Sequence, residues 1–262
     1  MRIPLNTSSY IIGGRPARAG EFPWHASLSI YPAPQATSYT VCGGVIWDSN
    51  HIVTASHCLL ECKGGRLHSP ARIEICVAEL DKNRRDGEIC FPAQSWRTHP
   101  GFNPCRQGII MNDIAVITFA RPLTLPKITS NGYGSISAAC HPASTEYTGR
   151  AVLSGFGRYS MSYQSTSTFL KTIVLPIWDI NKCAQHWRGV GYTHICVGGV
   201  GGQSACMGDS GGPLVWYDRS GRATVIGVTS FGPPTCAQAG IPTVFTKISA
   251  FLSWINQQTF GK

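Results

Sequence analysis

The sequence predicts an all-β fold built from antiparallel sheet, and three observations carry that expectation. Short runs rich in Val, Ile, Thr and aromatic residues recur along the chain, each bounded by Gly, Pro, Asn or Ser. The 262 residues include 29 Gly and 17 Pro, a supply of tight turns that argues against a helical bundle. Nothing alternates strand-like with helix-like segments, which argues against a parallel sheet.

Examples of the strand-like runs are Val41–Trp47, His51–Ala55, Arg72–Val77, Asp113–Phe119, Ala151–Gly155, Thr172–Pro176, Pro213–Trp216, Val225–Thr229 and Pro242–Ile248. One helix is expected at the end of the chain, over 249–258. Ser249 would cap it, and Phe251, Leu252 and Ile255 would form its apolar face. The stretch Arg121–Ser135, with Pro122, Pro126, Asn131, Gly132 and Gly134, reads as a connector between two halves. Gly198–Gly202 is glycine-rich but follows no convincing strand and opens no helix. It reads as a surface loop and not a nucleotide cradle.

Hydrophobic residues make up 43% of the chain, enough for a sizeable core, and no apolar run approaches the length of a membrane span. Basic residues outnumber acidic ones 22 to 13, giving +9. The charge is scattered, with no block of five like charges, so nucleic-acid binding is not expected. Eleven cysteines point to a disulfide-forming compartment. Zinc is the competing reading, but Cys58 and Cys62 have no second pair at finger spacing. Residues 1–10, MRIPLNTSSY, lack the apolar stretch of a signal peptide, so secretion is inferred from the cysteines. Asn6-Thr7-Ser8 is a glycosylation sequon, a pattern common by chance.

Three segments carry chemistry together. Thr54-Ala55-Ser56-His57-Cys58 puts a histidine at the end of a strand; Asn112-Asp113-Ile114-Ala115-Val116 puts an aspartate at the start of a buried one. Gly208-Asp209-Ser210-Gly211-Gly212-Pro213 puts a serine in a glycine-lined bend. A serine hydroxyl needs an adjacent base to act as a nucleophile. His57 would be that base and Asp113 would fix its tautomer, while the Gly208 and Ser210 N–H groups would face a developing oxyanion.

These motifs, with Ile11-Ile12-Gly13-Gly14 at the start and Trp254-Ile255 at the end, resemble the trypsin/chymotrypsin family of serine proteases over nearly the whole chain. GDSGGP is the most specific of them. The resemblance implies two six-stranded antiparallel β-barrels with a short C-terminal helix. The first barrel would span 11–122 and the second 136–247, after a propeptide or N-terminal remnant at 1–10. It also implies activation by cleavage before Ile11, whose new ammonium would pair with Asp209. Tyr10 precedes that bond where many relatives have Arg or Lys, so an activator with aromatic preference is expected, this enzyme itself included.

The specificity pocket implied by the resemblance has Ser204 at its base, Ser230-Phe231-Gly232 as one wall and Ala205-Cys206-Met207 as the other. No carboxylate sits at the base, so the cleaved bond should follow an apolar residue. Thr243 stands where relatives have glycine and should make the pocket shallower. The pocket is therefore chymotrypsin-like, for Leu, Met, Tyr or Phe, or elastase-like, for smaller residues.

By the same resemblance Cys42 pairs with Cys58, Cys183 with Cys196 and Cys206 with Cys236. A further common bridge is absent, with Ala151 and Trp216 at its two ends. Cys62, Cys76, Cys90 and Cys105 allow three pairings that the sequence leaves open. Cys140 stands where relatives tether an upstream domain; without one it would be free. Glu79–Glu88 resembles the calcium loop of some relatives, with Glu79, Asp81, Asp86 and Glu88 as oxygen donors, although Lys82, Arg84 and Arg85 fall inside it. No other cofactor is expected. Partners would be protein or peptide substrates and protein protease inhibitors. Two other classes remain as alternatives, a non-catalytic relative binding an anionic ligand and a structural disulfide scaffold.

Overall fold

The computed structural model describes residues 11–128, 135–158 and 165–260. The expectations for 1–10, the sequon at Asn6 and the middle of the connector lie outside the described residues.

Two antiparallel sheets dominate. The first runs, neighbour to neighbour, Ile89–Pro92, Arg72–Val77, His25–Tyr31, Thr40–Ile46, His51–Thr54, Ala115–Thr118 and Ser95–Thr98. Its two edges are two residues apart in sequence. Ala93 N–H donates to Ile73 O and Gln94 N–H to Thr118 O, so one kinked strand joins both edges and the sheet closes on itself. The expected six-stranded barrel is present, with one strand split in two.

The second sheet runs Arg15–Pro16, Lys171–Pro176, Arg150–Gly155, Pro213–Tyr217, Ala223–Phe231, Pro242–Lys247 and His194–Gly198. It closes where Ile177, just past Lys171–Pro176, bridges Val197 and Trp178 N–H donates to Cys196 O. The seventh strand is Arg15–Pro16, two residues that pair with Lys171 and Thr172.

Each sheet encloses apolar side chains, and a third cluster lies between them. The strand carrying the candidate aspartate shows why its sequence reads as a continuous apolar run. Ala115 and Ile117 face the first barrel's interior, while Ile114 and Val116 face the cluster between the halves. With no solvent face there is no polar alternation. Full burial of one such Ile or Val is worth about 1.5–3 kcal/mol.

The C-terminal helix starts later than expected, at Leu252–Thr259, and Ser249 does not cap it. Ser249 lies in a 3-10 turn, Ile248–Ala250, with its hydroxyl buried and without a hydrogen-bond partner among the described residues. Ile248, Phe251 and Ile255 all enter the cluster between the halves, and the tighter turn is what brings Ile248 there. A second helix, Ile180–His186, escaped the sequence reading, as did the strands His25–Tyr31, Ile89–Pro92, Ser95–Thr98 and His194–Gly198; the glycine run 198–202 therefore does follow a strand, against expectation. Asp179 caps it by accepting from Asn181 N–H and Lys182 N–H, both at 3.0 Å.

Five disulfides are present: Cys42–Cys58, Cys183–Cys196 and Cys206–Cys236, as the resemblance implied, together with Cys62–Cys105 and Cys76–Cys90. Cys76 and Cys90 stand directly opposite on adjacent strands. Cys140 is free and exposed. The register Val152↔Val215 and Leu153↔Leu214, continued by one residue, sets Ala151 opposite Trp216, and both pack in the second barrel's apolar cluster.

Candidate active site

His57 sits in a single 3-10 turn, Ser56–Cys58, at the end of the strand His51–Thr54. Two bonds fix that turn from beneath. Ser56 Oγ donates to Ile114 O at 2.6 Å, and the Cys42–Cys58 disulfide ties it to the neighbouring strand. Asp113 is placed by Asn112, which adopts φ +55°, a left-handed conformation that Asn tolerates. The Asn112 side chain is held by donating to Gly101 O.

The two meet at close range. Asp113 Oδ2 lies 2.7 Å from His57 Nδ1, and Oδ1 accepts from His57 N–H at 2.8 Å. Ser230 Oγ donates to the same Asp113 Oδ2. Asp113 is 1% exposed and His57 25% exposed at the side chain. Burial pushes the Asp113 carboxyl up, but the charge and hydrogen bonds of His57 and the Ser230 hydroxyl outweigh it and hold its pKa below the ordinary value. Burial lowers His57, and the Asp113 charge and hydrogen bond reverse that to a net rise. The sequence assigned Ser230 only to the pocket wall; its bond to Asp113 had no signal in residue spacing.

Ser210 is held against the same region. Gly43 N–H donates to Ser210 O at 2.7 Å. Gly211, at φ +72°, packs so tightly against Thr54 and Gly43 that a Cβ there would overlap them. The serine's own bend is therefore pressed onto the chain just before His57. Among the described residues nothing hydrogen-bonds the Ser210 hydroxyl, and neither the Gly208 nor the Ser210 N–H has an acceptor. Two unsatisfied donors beside a free hydroxyl are the elements an oxyanion site needs. Gly208 has φ +97°, and a Cβ there would come within 2.9 Å of Thr166 and 3.1 Å of Gly157.

Ser210 opens onto a cavity of about 250 Å³ lined by Ala205, Met207, Ser230, Phe231, Gly232 and Thr243, among others. No acidic side chain lines it. Ser204 stands behind this lining; its hydroxyl donates to Ala205 O and accepts from Ala237 N–H. Phe231 is braced edge-on by Trp187, ring centres 5.5 Å apart, and Trp187 in turn donates to Pro242 O.

Asp209 is fully buried. Its carboxylate accepts from Gly157 N–H and Cys206 N–H, and a Cβ on Gly155 or Gly157 would overlap it. Among the described residues no cation pairs with it. Burial pushes its pKa up to about 7 against the two hydrogen bonds. Ile11 is also fully buried, in the second barrel's core, at φ +40°. Ser204 N–H donates to the next carbonyl, Ile12 O.

The carboxylates considered for calcium face their own loop. Asp86 Oδ2 accepts from Leu80 and Asp81 N–H, and Glu88 Oε2 from Asp86 and Gly87 N–H. Burial raises the Glu79 pKa, opposed by the charge of Lys82. No group of three or more His, Cys, Asp or Glu is placed to hold a metal among the described residues. No helix among them is long and apolar enough to cross a membrane.

A family model described as Trypsin matches residues 11–255. CLIP domain-containing serine protease B4 of Anopheles gambiae is 31% identical, the match covering 95% of this chain and 70% of that protein. Proclotting enzyme of Tachypleus tridentatus is 30% identical over 96% of this chain and 66% of its own length. Chymotrypsin-C of Bos taurus is 31% identical over 97% and 90%. With the two closed barrels, the match over 11–255 makes this chain a member of the trypsin family of serine endopeptidases.

Proposed function

We propose that the protein is a secreted endopeptidase that hydrolyses peptide bonds after apolar residues by acyl transfer. Ser210 attacks the carbonyl carbon, His57 Nε2 takes its proton and later donates it to the leaving amine, and Asp113 holds Nδ1–H and stabilises the imidazolium. The Gly208 and Ser210 N–H groups receive the oxyanion. Loss of one such donor costs about 2.7–4 kcal/mol of barrier. The observation that carries the reading is the buried Asp113–His57 pair beside a serine whose flanking N–H groups are unsatisfied.

The acid-free cavity supports an apolar preference. A smaller-residue preference is the second reading, favoured by Thr243, which stands across the cavity from Gly232. The relatives include both a chymotrypsin and Chymotrypsin-like elastase family member 1 of Macaca fascicularis.

Activation by cleavage before Ile11 rests on two strains. Asp209 is buried without a cation among the described residues, and an ammonium at Ile11 would supply one. Ile11 is a β-branched residue held at φ +40°, a conformation that costs on the order of 1–3 kcal/mol. Cutting the bond before it abolishes that torsion. The five disulfides support secretion. Exposed Cys140 fits a tether to an upstream domain, since the CLIP-domain relatives extend beyond the matched region. Protein protease inhibitors that present an apolar loop to the same cavity are the expected regulators.

The test is turnover of a peptide library varied at the residue before the cleaved bond, using chain that begins at Ile11. Cleavage after Leu, Met, Tyr or Phe that disappears in Ser210→Ala supports the reading. Cleavage after Arg or Lys overturns the pocket assignment, and cleavage nowhere overturns the mechanism.

A further inference from the structure

A second cavity, of about 260 Å³, is lined in part by Cys58 and Leu59, which follow His57 in the chain, and by Tyr39, Lys63 and His68. Its place along the cleft follows from the chain. In the peptidase reading above, the residue before the cleaved bond enters the Ser210 cavity, whose lining includes Ser230, Phe231 and Gly232. On the other side Ser210 O is bonded by Gly43, one residue past Cys42, which is bridged to Cys58. Thr40 and Cys58 both line this second cavity. A substrate leaving Ser210 away from Ser230 therefore arrives here with its leaving-group residues.

One wall is a tight hairpin, Glu61–Lys63 paired with Arg66–His68. Gly64 and Gly65, at φ +58° and +76°, make the two-residue turn that only such residues accept readily. The register sets Lys63 opposite Arg66 and Glu61 opposite His68, so all four share one face, while Cys62 on the other face is anchored to Cys105. Like charges directly opposite each other are unfavourable. A single carboxylate answers them: Glu61 lies 2.6 Å from Lys63 Nζ. Both members of that pair are well exposed, so it holds Lys63 weakly and an incoming carboxylate can share it.

We infer that this hairpin face is a leaving-group-side subsite for an acidic substrate residue, Asp or Glu, placed a few positions after the cleaved bond. Lys63, which lines the cavity beside Glu61, and Arg66, opposite Lys63 on the same hairpin face, supply the net positive charge, Tyr39 and Leu59 the apolar floor, and the Cys62–Cys105 bridge fixes the hairpin. The inference rests on the peptidase reading above and adds to it the sequence class of the substrate's second half.

The test uses chain beginning at Ile11 and internally quenched peptides that share every residue up to the cleaved bond. They differ in carrying Glu, Gln or Lys at the second to fourth positions after it. The readout is the ratio of kcat/KM for Glu over Lys peptides within one preparation, which is independent of the fraction of active enzyme. Two exposed charge contacts predict a ratio of about threefold to tenfold at low salt, shrinking at high salt. In the Lys63→Gln/Arg66→Gln variant the ratio should fall toward one. A ratio near one in the wild type, or one that survives in the variant, overturns the subsite. Retention on heparin that the variant abolishes, with no peptide preference, assigns the face to a glycan and equally overturns it. A small chromogenic ester with no leaving-group residues separates the two claims. If the wild type cleaves the ester but shows no Glu preference, only the subsite fails; if it cleaves neither, the peptidase reading fails with it.

Discussion

Thr243 faces Gly232 across the cavity beside Ser210: a Cβ built on Gly232 would lie 3.4 Å from Thr243 Oγ1 and 3.5 Å from Cγ2. The two positions together set the pocket's width, one by having no side chain and the other by having one. Thr243→Gly should therefore raise kcat/KM for Phe and Tyr substrates relative to Ala and Val by about tenfold, since one or two methyl-sized groups in such a pocket are worth about 1–3 kcal/mol. Gly232→Val should close the same space from the other wall and lower turnover of aromatic substrates. Steady-state kinetics on matched peptides reads both. An unchanged ratio in Thr243→Gly would show that Thr243 does not limit depth.

Asp113→Asn keeps the size of the side chain but removes the charge that orients His57. Turnover should drop by about 10⁴ at neutral pH. The wild-type pH profile should carry the same information. His57 must be neutral to act as base, and Asp113 raises its pKa above the ordinary value. Activity should therefore fall with decreasing pH through a midpoint above about 6.5. Ser230→Ala removes a donor to Asp113 and should weaken activity without abolishing it, because both His57 contacts remain.

Asp209 gives a test on stability. In the folded, uncut chain its pKa is pushed up to about 7, against an ordinary value of 3.8. The folded state then binds a proton the unfolded state has lost, so stability should be highest below pH 4 for this group and fall as pH rises to about 7. The full difference is on the order of 4 kcal/mol. Urea unfolding of the uncut chain at pH 5 and pH 7.5 should show the loss, and Asp209→Asn should flatten it. Chain beginning at Ile11 should also lack the slope, its ammonium pairing with the carboxylate. An equal slope in all three proteins would remove Asp209 from the account.

How far the sequence reached differs by the kind of information. His57, Asp113 and Ser210 stood out as candidates because acyl transfer would demand fixed residue types in fixed local patterns, and the structure brings His57 and Asp113 together. The nine strand runs read from the sequence match strands to within two residues, because apolar runs bounded by turn formers mark buried strands; His25–Tyr31, Ile89–Pro92, Ser95–Thr98 and His194–Gly198, which complete the two barrels, were not among them. Partner choice was not. Cys76 and Cys90 are joined because strand register sets them opposite, and Cys62 reaches Cys105 because a glycine hairpin turns its other face toward the cavity. Ser249 misled because a cap depends on where the apolar residues beyond it must go, and Ile248 and Phe251 needed a tighter turn first. Trp187 behind Phe231 left no trace in spacing at all.

Calcium should have little effect, and the cations inside the 79–88 loop say why. Asp86 and Glu88 each already accept two backbone N–H groups from their own loop, and Asp81 lies 3.5 Å from Arg84. A calcium ion needs six to eight oxygens, and Asp86 Oδ1, buried without a hydrogen-bond partner among the described residues, is open to one, but the Arg84 cation already lies against Asp81. Lys82 adds a competing charge: its ammonium lies 4.5 Å from the centre of the Phe156 ring and its field opposes the raised Glu79 pKa. The melting temperature in millimolar calcium should therefore match that in chelator. Lys82→Met tests the same balance from the other side. Removing the cation leaves Glu79 buried without its nearest opposing charge, which should lower stability by about 1–3 kcal/mol. If Lys82 is what stands against a metal in this loop, calcium should recover part of that loss in the variant; a wild-type protein whose melting point rises by several degrees with calcium would show instead that the loop opens to bind it.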